Sequence, residues 1–178
     1  MRAFHIHQDG SAPELTNLPT PTPGTGEVLL DIKACGLNFA DLLMVKGSYQ
    51  ETPPAPFTLG MEVSGVVSAV GEVFTHLSFG TRVVVFGGQG GLADQGVFPS
   101  AQCVPLHQDM SFEDAAAFQI AYGTSHVALD YRAQLKAGET LVVLGAAGGV
   151  GLTAVEIGKR MGATVIAVAR GNDKLAVA

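Results

Sequence analysis

The sequence predicts an α/β chain: a small β-barrel or sandwich over residues 1–110, followed by an incomplete doubly wound α/β domain over residues 111–178. Short apolar runs separated by glycine and proline turns fill the first part, a pattern typical of small barrels and sandwiches. In the second part a continuous apolar run enters a glycine-rich turn and then a helical segment, and a second apolar run follows. This order of elements is that of a βαβ unit, the building block of a doubly wound sheet.

Five runs of apolar and β-branched residues are predicted to be strands. Three of them, at 28–33, 63–70 and 82–86, lie in the first part. The other two, at 140–144 and 165–169, are continuously apolar, which is typical of parallel strands buried on both faces. Because two parallel strands cannot complete a doubly wound sheet, we expect the chain to be a fragment, or an enzyme truncated in its second domain.

Capping signals predict the helices. A helix is expected at 38–46, because Asn38 is a favoured N-cap residue and a glycine follows the segment. Ser111 is expected to cap a helix whose first turn carries two acidic residues. Further helices are predicted at 124–132 and directly after the glycine turn, the latter ending near Met161.

Composition and charge exclude several classes of protein. The 178 residues include 10 basic and 16 acidic side chains, so the formal net charge is −6. An acidic chain disfavours binding to nucleic acids and to anionic membrane surfaces. The 47% hydrophobic and 15% charged residues exclude intrinsic disorder. With two cysteines and neither a secretory signal nor a long apolar run, we expect a cytoplasmic protein without nucleic-acid or membrane partners.

The glycine turn predicts a dinucleotide site. It has the form Ala146-x-Gly148-x-x-Gly151, in which Ala146 replaces the first glycine of the usual fingerprint. A helix that begins at such a turn offers backbone N–H groups and the positive end of its dipole to a phosphate. We therefore expect a dinucleotide to contact this turn through the five residues Ala147, Gly148, Gly149, Val150 and Gly151. The alternative is a tight strand-to-helix turn without a ligand.

Two cations favour NADP over NAD. The acidic residue that would bind the ribose hydroxyls of NAD is expected near position 170, but no carboxylate occurs there before Asp173. Arg170 and Lys174 instead place positive charge where a 2′-phosphate would lie. The alternative is that both are ordinary surface charges.

Six motifs give the chain a resemblance to a known family. They are ACGLNFAD at 34–41, GSY at 47–49, GMEVSGVV at 60–67, GTRV at 80–83, AYGT at 121–124 and LGAAGGVG at 144–151. In this order and spacing they resemble the quinone oxidoreductase (zeta-crystallin-like) branch of the zinc-free medium-chain dehydrogenase/reductase superfamily. The resemblance implies a GroES-like β domain followed by a Rossmann domain, with the active site in the cleft between them. It also implies a homodimer that reduces quinones or α,β-unsaturated carbonyls with NADPH.

The resemblance also implies roles for individual residues. Asn38 and Tyr49 match residues that lie near the nicotinamide and the substrate, and Thr124 matches a residue that contacts the nicotinamide. Each has a structural alternative, since Asn38 and Thr124 could be helix caps and Tyr49 could merely pack over the barrel mouth. Asp41 and Glu62 belong to the same motifs and are expected to be structural hydrogen-bonding groups.

No metal site is expected. Asn38, Met61 and Ile120 stand where the zinc alcohol dehydrogenases carry their catalytic zinc ligands, and these side chains are not a zinc set. The histidines, at positions 5, 7, 76, 107 and 126, are scattered along the sequence.

The favoured function is thus a metal-free NADPH-dependent reductase of quinones or enones. One alternative is an NADPH-binding, crystallin-like structural protein with little turnover. Another is an inactive fragment of such an enzyme, whose apolar strands would lie exposed.

Overall fold

The structure is a computed structural model that describes residues 1–8, 10–72 and 77–178. It divides into two compact units, Met1–Ala117 and Phe118–Ala178. The division follows residue 117, later than the boundary at residue 110 that we expected, because the short helix that begins at Phe112 belongs to the first unit. The hydroxyl of Ser64, on a strand of that unit, donates a hydrogen bond of 2.6 Å to the carbonyl oxygen of Phe112.

The secondary structure follows the mixed α/β prediction. The strands are β1 (Arg2–Ile6), β2 (Glu14–Asn17), β3 (Glu27–Gly36), β4 (Phe57–Thr58), β5 (Glu62–Val70), β6 (Arg82–Phe86), β7 (Gln95–Pro99), β8 (Cys103–Pro105), β9 (Thr140–Leu144) and β10 (Thr164–Val168). The helices are α1 (Phe39–Val45), α2 (Phe112–Ala116), α3 (Gln119–His126), α4 (Gly149–Arg160) and α5 (Asn172–Val177), with a 3₁₀ turn at Ser100–Gln102 and a π-helix at Val127–Arg132.

The first unit is an antiparallel β structure. Among the described residues its strands form a three-stranded sheet in the order β2-β1-β4 and a five-stranded sheet in the order β7-β3-β5-β6-β8, and neither closes into a barrel. Inward-facing side chains of the larger sheet form the core. Its fully buried members include Val28, Leu30, Val63, Val67, Val83 and Val85. The strands predicted at 28–33, 63–70 and 82–86 are confirmed, and β3 extends further in both directions.

The helices of the first unit begin where the capping signals place them. Asn38 is the N-cap of α1 and has an extended backbone, and Gly47 follows the helix with a φ of +62°. A residue with a side chain rarely adopts this left-handed conformation, so glycine suits the stop. Ser111 caps α2, and its hydroxyl oxygen accepts a hydrogen bond of 3.0 Å from the backbone N–H of Asp114.

The second unit contains the predicted βαβ unit. Strands β9 and β10 are parallel neighbours, with Thr140 paired to Thr164 and Leu144 to Val168, and α4 connects them. The prediction that both strands are buried is wrong. Leu144 is 77% exposed and Val143 is the only buried residue of β9, because within the described residues each strand has a single neighbour in the sheet.

The helix predicted at 124–132 is wrong in its start and in its type. Helix α3 already begins at Gln119, and the segment Val127–Arg132 is a π-helix. Thr124 therefore lies inside α3 and is not an N-cap. The rings of Phe118 and Tyr122 stack at the start of α3 with their centroids 4.9 Å apart, a contact between residues four positions apart that favours an earlier helix start.

None of the helices in the described part of the chain combines the length and the apolar character that crossing a membrane requires.

Candidate functional site

The turn between β9 and α4 is built on glycine. Gly145 has a φ of +69°, and the N–H of Gly148 donates a hydrogen bond of 2.9 Å to the carbonyl oxygen of Gly145. A Cβ atom at Gly151 would overlap that same carbonyl oxygen and would lie 2.8 Å from the Cα of Ala146. The first turn of α4 can therefore approach the end of β9 this closely only with glycine at position 151.

The N-terminus of α4 presents backbone donors. The hydrogen bond from the N–H of Leu152 to the carbonyl oxygen of Gly148, 2.8 Å long, is the first i to i−4 bond of the helix. The first N–H groups of a helix have no acceptor within the helix. In α4 these are the N–H groups of Gly149, Val150 and Gly151, which come before this bond. Together with the positive end of the helix dipole they make this turn suited to an anion.

A cavity of about 490 Å³ lies beside this turn. It is lined by Gly145, Ala147, Gly148, Ala169, Arg170 and Lys174. The end of β10 is fixed to the turn, because the N–H of Ala146 donates a hydrogen bond of 3.1 Å to the carbonyl oxygen of Val168. The structure thus brings the glycine turn and the two cations to one cavity, although they are more than twenty residues apart in the sequence.

The lining of the cavity suits a phosphate group. Among the described residues it includes two cationic residues and no acidic one. A Cβ atom at Gly149 would meet no described atom within 4 Å, and one at Gly148 would meet only the carbonyl oxygen of Gly145, at 3.4 Å. Space is therefore available at the backbone donors, and glycine keeps it free of side chains.

Two hydroxyl groups that the sequence analysis missed hold the first turn of α4 in place. The hydroxyl of Ser125 on α3 donates a hydrogen bond of 2.9 Å to the carbonyl oxygen of Val150, and it lies 2.8 Å from the hydroxyl oxygen of Thr153. Thr153 in turn donates to the carbonyl oxygen of Ala121 at 3.0 Å. Small hydroxyl residues spaced along two helices resemble ordinary surface positions in a sequence, so only their burial in the structure reveals this contact.

Thr124 does not join this site within the second unit. It is exposed on α3 and does not line the cavity at the glycine turn. Its expected contact with a nicotinamide ring stays a prediction.

In the first unit, Asn38 lies at the centre of a cluster of polar groups between β3 and α1. Its backbone N–H donates a hydrogen bond of 2.8 Å to Oδ2 of Asp41, and its side-chain Nδ2 donates one of 2.9 Å to Oε1 of Glu62. Oδ1 of Asp41 also accepts a hydrogen bond of 3.1 Å from the N–H of Gly60. Asp41 and Glu62 are thus hydrogen-bonding groups, as predicted, and Asn38 is at once a helix cap and a residue with a fixed side chain.

The cluster is buried and negatively charged. Glu62 is 2% exposed and Asp41 is 6% exposed. Burial, together with the charges of Asp41 and Glu62, raises the pKa of the neighbouring Cys35 thiol to about 12. Cys35 is therefore a neutral thiol.

Tyr49 lies apart from the hydrogen bonds of Asn38. It is half-buried in the loop that follows α1, and its carbonyl oxygen accepts hydrogen bonds of 3.1 Å from the N–H of Thr52 and 2.6 Å from the hydroxyl of Thr52. These contacts fix the backbone of the loop. The role of the Tyr49 phenol stays a prediction.

In the parts of the chain that the structure describes, no three or more His, Cys, Asp or Glu side chains gather where they could hold a metal ion. His76, one of the scattered histidines, lies outside the described residues.

Comparisons with known proteins agree with this arrangement. Residues 24–108 match the protein family described as the alcohol dehydrogenase GroES-like domain. The quinone oxidoreductase-like protein 2 homolog of Nematostella vectensis is 41% identical over 160 residues, which are 89% of this chain and 44% of that protein. The human synaptic vesicle membrane protein VAT-1 homolog is 42% identical over 137 residues, which are 77% of this chain and 35% of that protein.

A solved structure extends the similarity to both units. The quinone oxidoreductase of Thermus thermophilus, which has also been solved in complex with NADPH, superimposes with a TM-score of 0.87 at 40% identity. The alignment covers 99% of this chain and 56% of that protein. The predicted fold class, a GroES-like β domain followed by α/β structure of the Rossmann type, is confirmed. The chain spans less than half the length of the two curated relatives described above.

Proposed function

This chain belongs to the quinone oxidoreductase branch of the medium-chain dehydrogenase/reductase superfamily, and we therefore propose that the protein is an NADPH-dependent oxidoreductase that acts without a metal. The substrate class is a quinone or an α,β-unsaturated carbonyl compound. The whole protein would be a homodimer, as the family resemblance implies.

The observation that carries this proposal is the cavity beside the glycine turn. The N–H groups of Gly149–Gly151 would bind the diphosphate of NADPH, and Arg170 and Lys174 would pair with its 2′-phosphate. A carboxylate on the lining would repel that phosphate and favour NAD instead. The proposal is also supported by the Thermus quinone oxidoreductase, which binds NADPH.

In the proposed reaction the protein orients the reactants and supplies hydrogen-bond donors. NADPH, when bound, supplies the hydride. Asn38 and Tyr49 are the proposed catalytic residues: the Asn38 amide and the Tyr49 phenol would donate hydrogen bonds to the substrate carbonyl oxygen, where negative charge develops. The Tyr49 phenol would also be able to deliver a proton to that oxygen. Thr124 would contact the nicotinamide ring.

Two measurements on the 178-residue chain test the proposal. A fluorescence titration compares its affinity for NADPH and NADH, and an absorbance assay follows NADPH oxidation with an added quinone or enal. We expect saturable binding with a preference for NADPH, and oxidation that depends on the acceptor. Binding without oxidation would favour the alternative of an NADPH-binding protein with little turnover, and no binding of either nucleotide would contradict the proposal.

A further inference from the structure

We propose that Glu62 is a positioning residue whose buried carboxylate fixes the orientation in which Asn38 presents its side-chain amide. This inference rests on the proposed function, in which Asn38 donates a hydrogen bond to the substrate carbonyl. Glu62 itself would not touch the substrate and would act only through Asn38.

The geometry restrains Asn38 at two points. Its side-chain Nδ2 lies 2.9 Å from Oε1 of Glu62, and its backbone N–H lies 2.8 Å from Oδ2 of Asp41. Asp41 is itself held by the backbone N–H of Gly60. Asp41 therefore fixes the backbone at position 38, and Glu62 fixes the end of the Asn38 side chain.

The chemistry of the two side chains determines which way the amide points. A carboxylate only accepts hydrogen bonds, so Asn38 must turn its NH₂ group, and not its carbonyl oxygen, towards Glu62. The NH₂ group has two protons, and Glu62 engages one of them. The second proton is then free to serve as the donor that the proposed mechanism requires. Without the carboxylate the amide could rotate by half a turn and present its oxygen to a substrate carbonyl, which would repel it.

The local packing supports a dedicated place for this carboxylate. A Cβ atom at Gly36 would overlap the carbonyl oxygen of Ala116 and would lie 2.5 Å from Oε1 of Glu62, so glycine at the end of β3 leaves room for both groups. Glu62 is the first residue of β5 and pairs with Gly36 across the sheet. The register of two core strands thus brings the Glu62 carboxylate to the N-cap of α1.

A spectroscopic experiment reads the orientation without any need for turnover. We compare the side-chain NH₂ resonances of Asn38 by NMR in the wild-type chain and in Glu62→Gln, and assign them by their loss in Asn38→Asp. In the wild type we expect one NH₂ proton shifted downfield and protected from exchange with solvent, and in Glu62→Gln we expect the shift and the protection to decrease. Glu27→Gln is the matched control, because Glu27 is the half-buried first residue of β3, and its Oε2 accepts a hydrogen bond of 2.8 Å from the backbone N–H of Gly24.

A swapped pair separates positioning from a purely structural role. Asn38→Asp alone would place two carboxylates in contact, so we expect its melting temperature to fall. In the double variant Asn38→Asp with Glu62→Gln, the amide at position 62 donates a hydrogen bond and the carboxylate at position 38 accepts it. Because aspartate is also a good N-cap, the melting temperature of the double variant should recover. Its turnover should stay about 100-fold below wild type, because position 38 then presents only oxygen atoms.

Glu62→Gln gives the remaining readout. We expect kcat to fall about tenfold, by analogy with the loss seen when the hydrogen-bond partner that orients a metal ligand is removed, while KM for NADPH is unchanged. Unchanged Asn38 resonances in Glu62→Gln, or full turnover in the swapped pair, would overturn the inference. If the wild-type chain oxidises no NADPH, the proposed function fails, and the NMR comparison still decides whether Glu62 orients the amide.

Discussion

Replacing Gly151 by alanine tests whether the close approach of α4 to β9 depends on this glycine. The added Cβ would contact three backbone atoms: the carbonyl oxygen of Gly145, the Cα of Ala146 at 2.8 Å and the carbonyl carbon of Ala146 at 2.9 Å. Backbone atoms cannot move aside as a flexible side chain can, so the overpacking cost should be near the upper end of its usual range, about 3 kcal/mol. Alanine is a better helix former than glycine by about 1 kcal/mol, which leaves a net loss of about 2 kcal/mol.

Thermal unfolding measures this loss. For a chain of this size 1 kcal/mol corresponds to about 2–4 °C, so the melting temperature of Gly151→Ala should fall by about 4–8 °C. The control is Gly148→Ala, whose Cβ would meet only the carbonyl oxygen of Gly145, at 3.4 Å. The free energy of unfolding of this control should fall by about 0.5 kcal/mol, because alanine is a poorer N-cap of α4 than glycine. Its methyl group would intrude on the cavity, however, and we expect at least a tenfold weaker affinity for NADPH. An unchanged melting temperature in Gly151→Ala, or equal losses in both variants, would refute this reasoning.

Three further predictions concern other parts of the chain. Arg170→Ala should weaken the binding of NADPH about tenfold in a fluorescence titration and leave the binding of NADH unaffected, because it removes a charge-assisted hydrogen bond to the 2′-phosphate. Arg132 lies outside the cavity lining, so Arg132→Ala is the control. Equal losses of affinity for both nucleotides would contradict the assignment. Ser111→Ala removes the cap of α2 and should lower the melting temperature by about 2–4 °C, whereas no change would show that the cap contributes nothing. Burial raises the pKa of Cys35 to about 12 and that of Cys103 to about 11. Both thiols should therefore resist alkylation at pH 8 in the folded chain, as followed by mass spectrometry, and react when it is unfolded. The stability that comes from keeping the thiols neutral should be complete below the ordinary thiol pKa, near 9, and should decrease as the pH rises from there towards 11 and 12.

The local elements of the fold could be predicted because their signals are local. Asn38 and Ser111 cap helices in the structure, and the glycine turn joins a strand to a helix, as their residue types indicate. The start of α3 was missed because Phe118, the residue before it, carries no capping side chain. A stacked aromatic pair and the contacts of Ser125 stabilise that helix instead, and such contacts have no signature in the sequence.

The burial of β9 and β10 was predicted wrongly for a different reason. Their continuous apolar sequence indicates strands with neighbours on both sides, but within the described residues each strand has only the other as a neighbour. Val142 and Ile166 are consequently about half exposed. Composition thus indicates the environment for which a strand is suited, and tertiary contacts decide whether that environment is present.

The cavity beside the glycine turn could be predicted from the sequence only in its separate parts. The glycine turn and the cations near position 170 were each identified from spacing, but their convergence on one cavity depends on the parallel pairing of β9 with β10. The contact between Asn38 and Glu62 was not accessible, because it joins residues 24 positions apart through the register of β3 and β5.

The most direct test of the account is an NMR titration of the chain with NADPH that follows every backbone amide. If the first turn of α4 binds the diphosphate, the largest chemical-shift changes will occur at residues 147–151. The amide resonances of Arg170 and Lys174 will shift more with NADPH than with NADH. Saturable changes confined to other residues, or none at all, would contradict the claim that the glycine turn is the dinucleotide site.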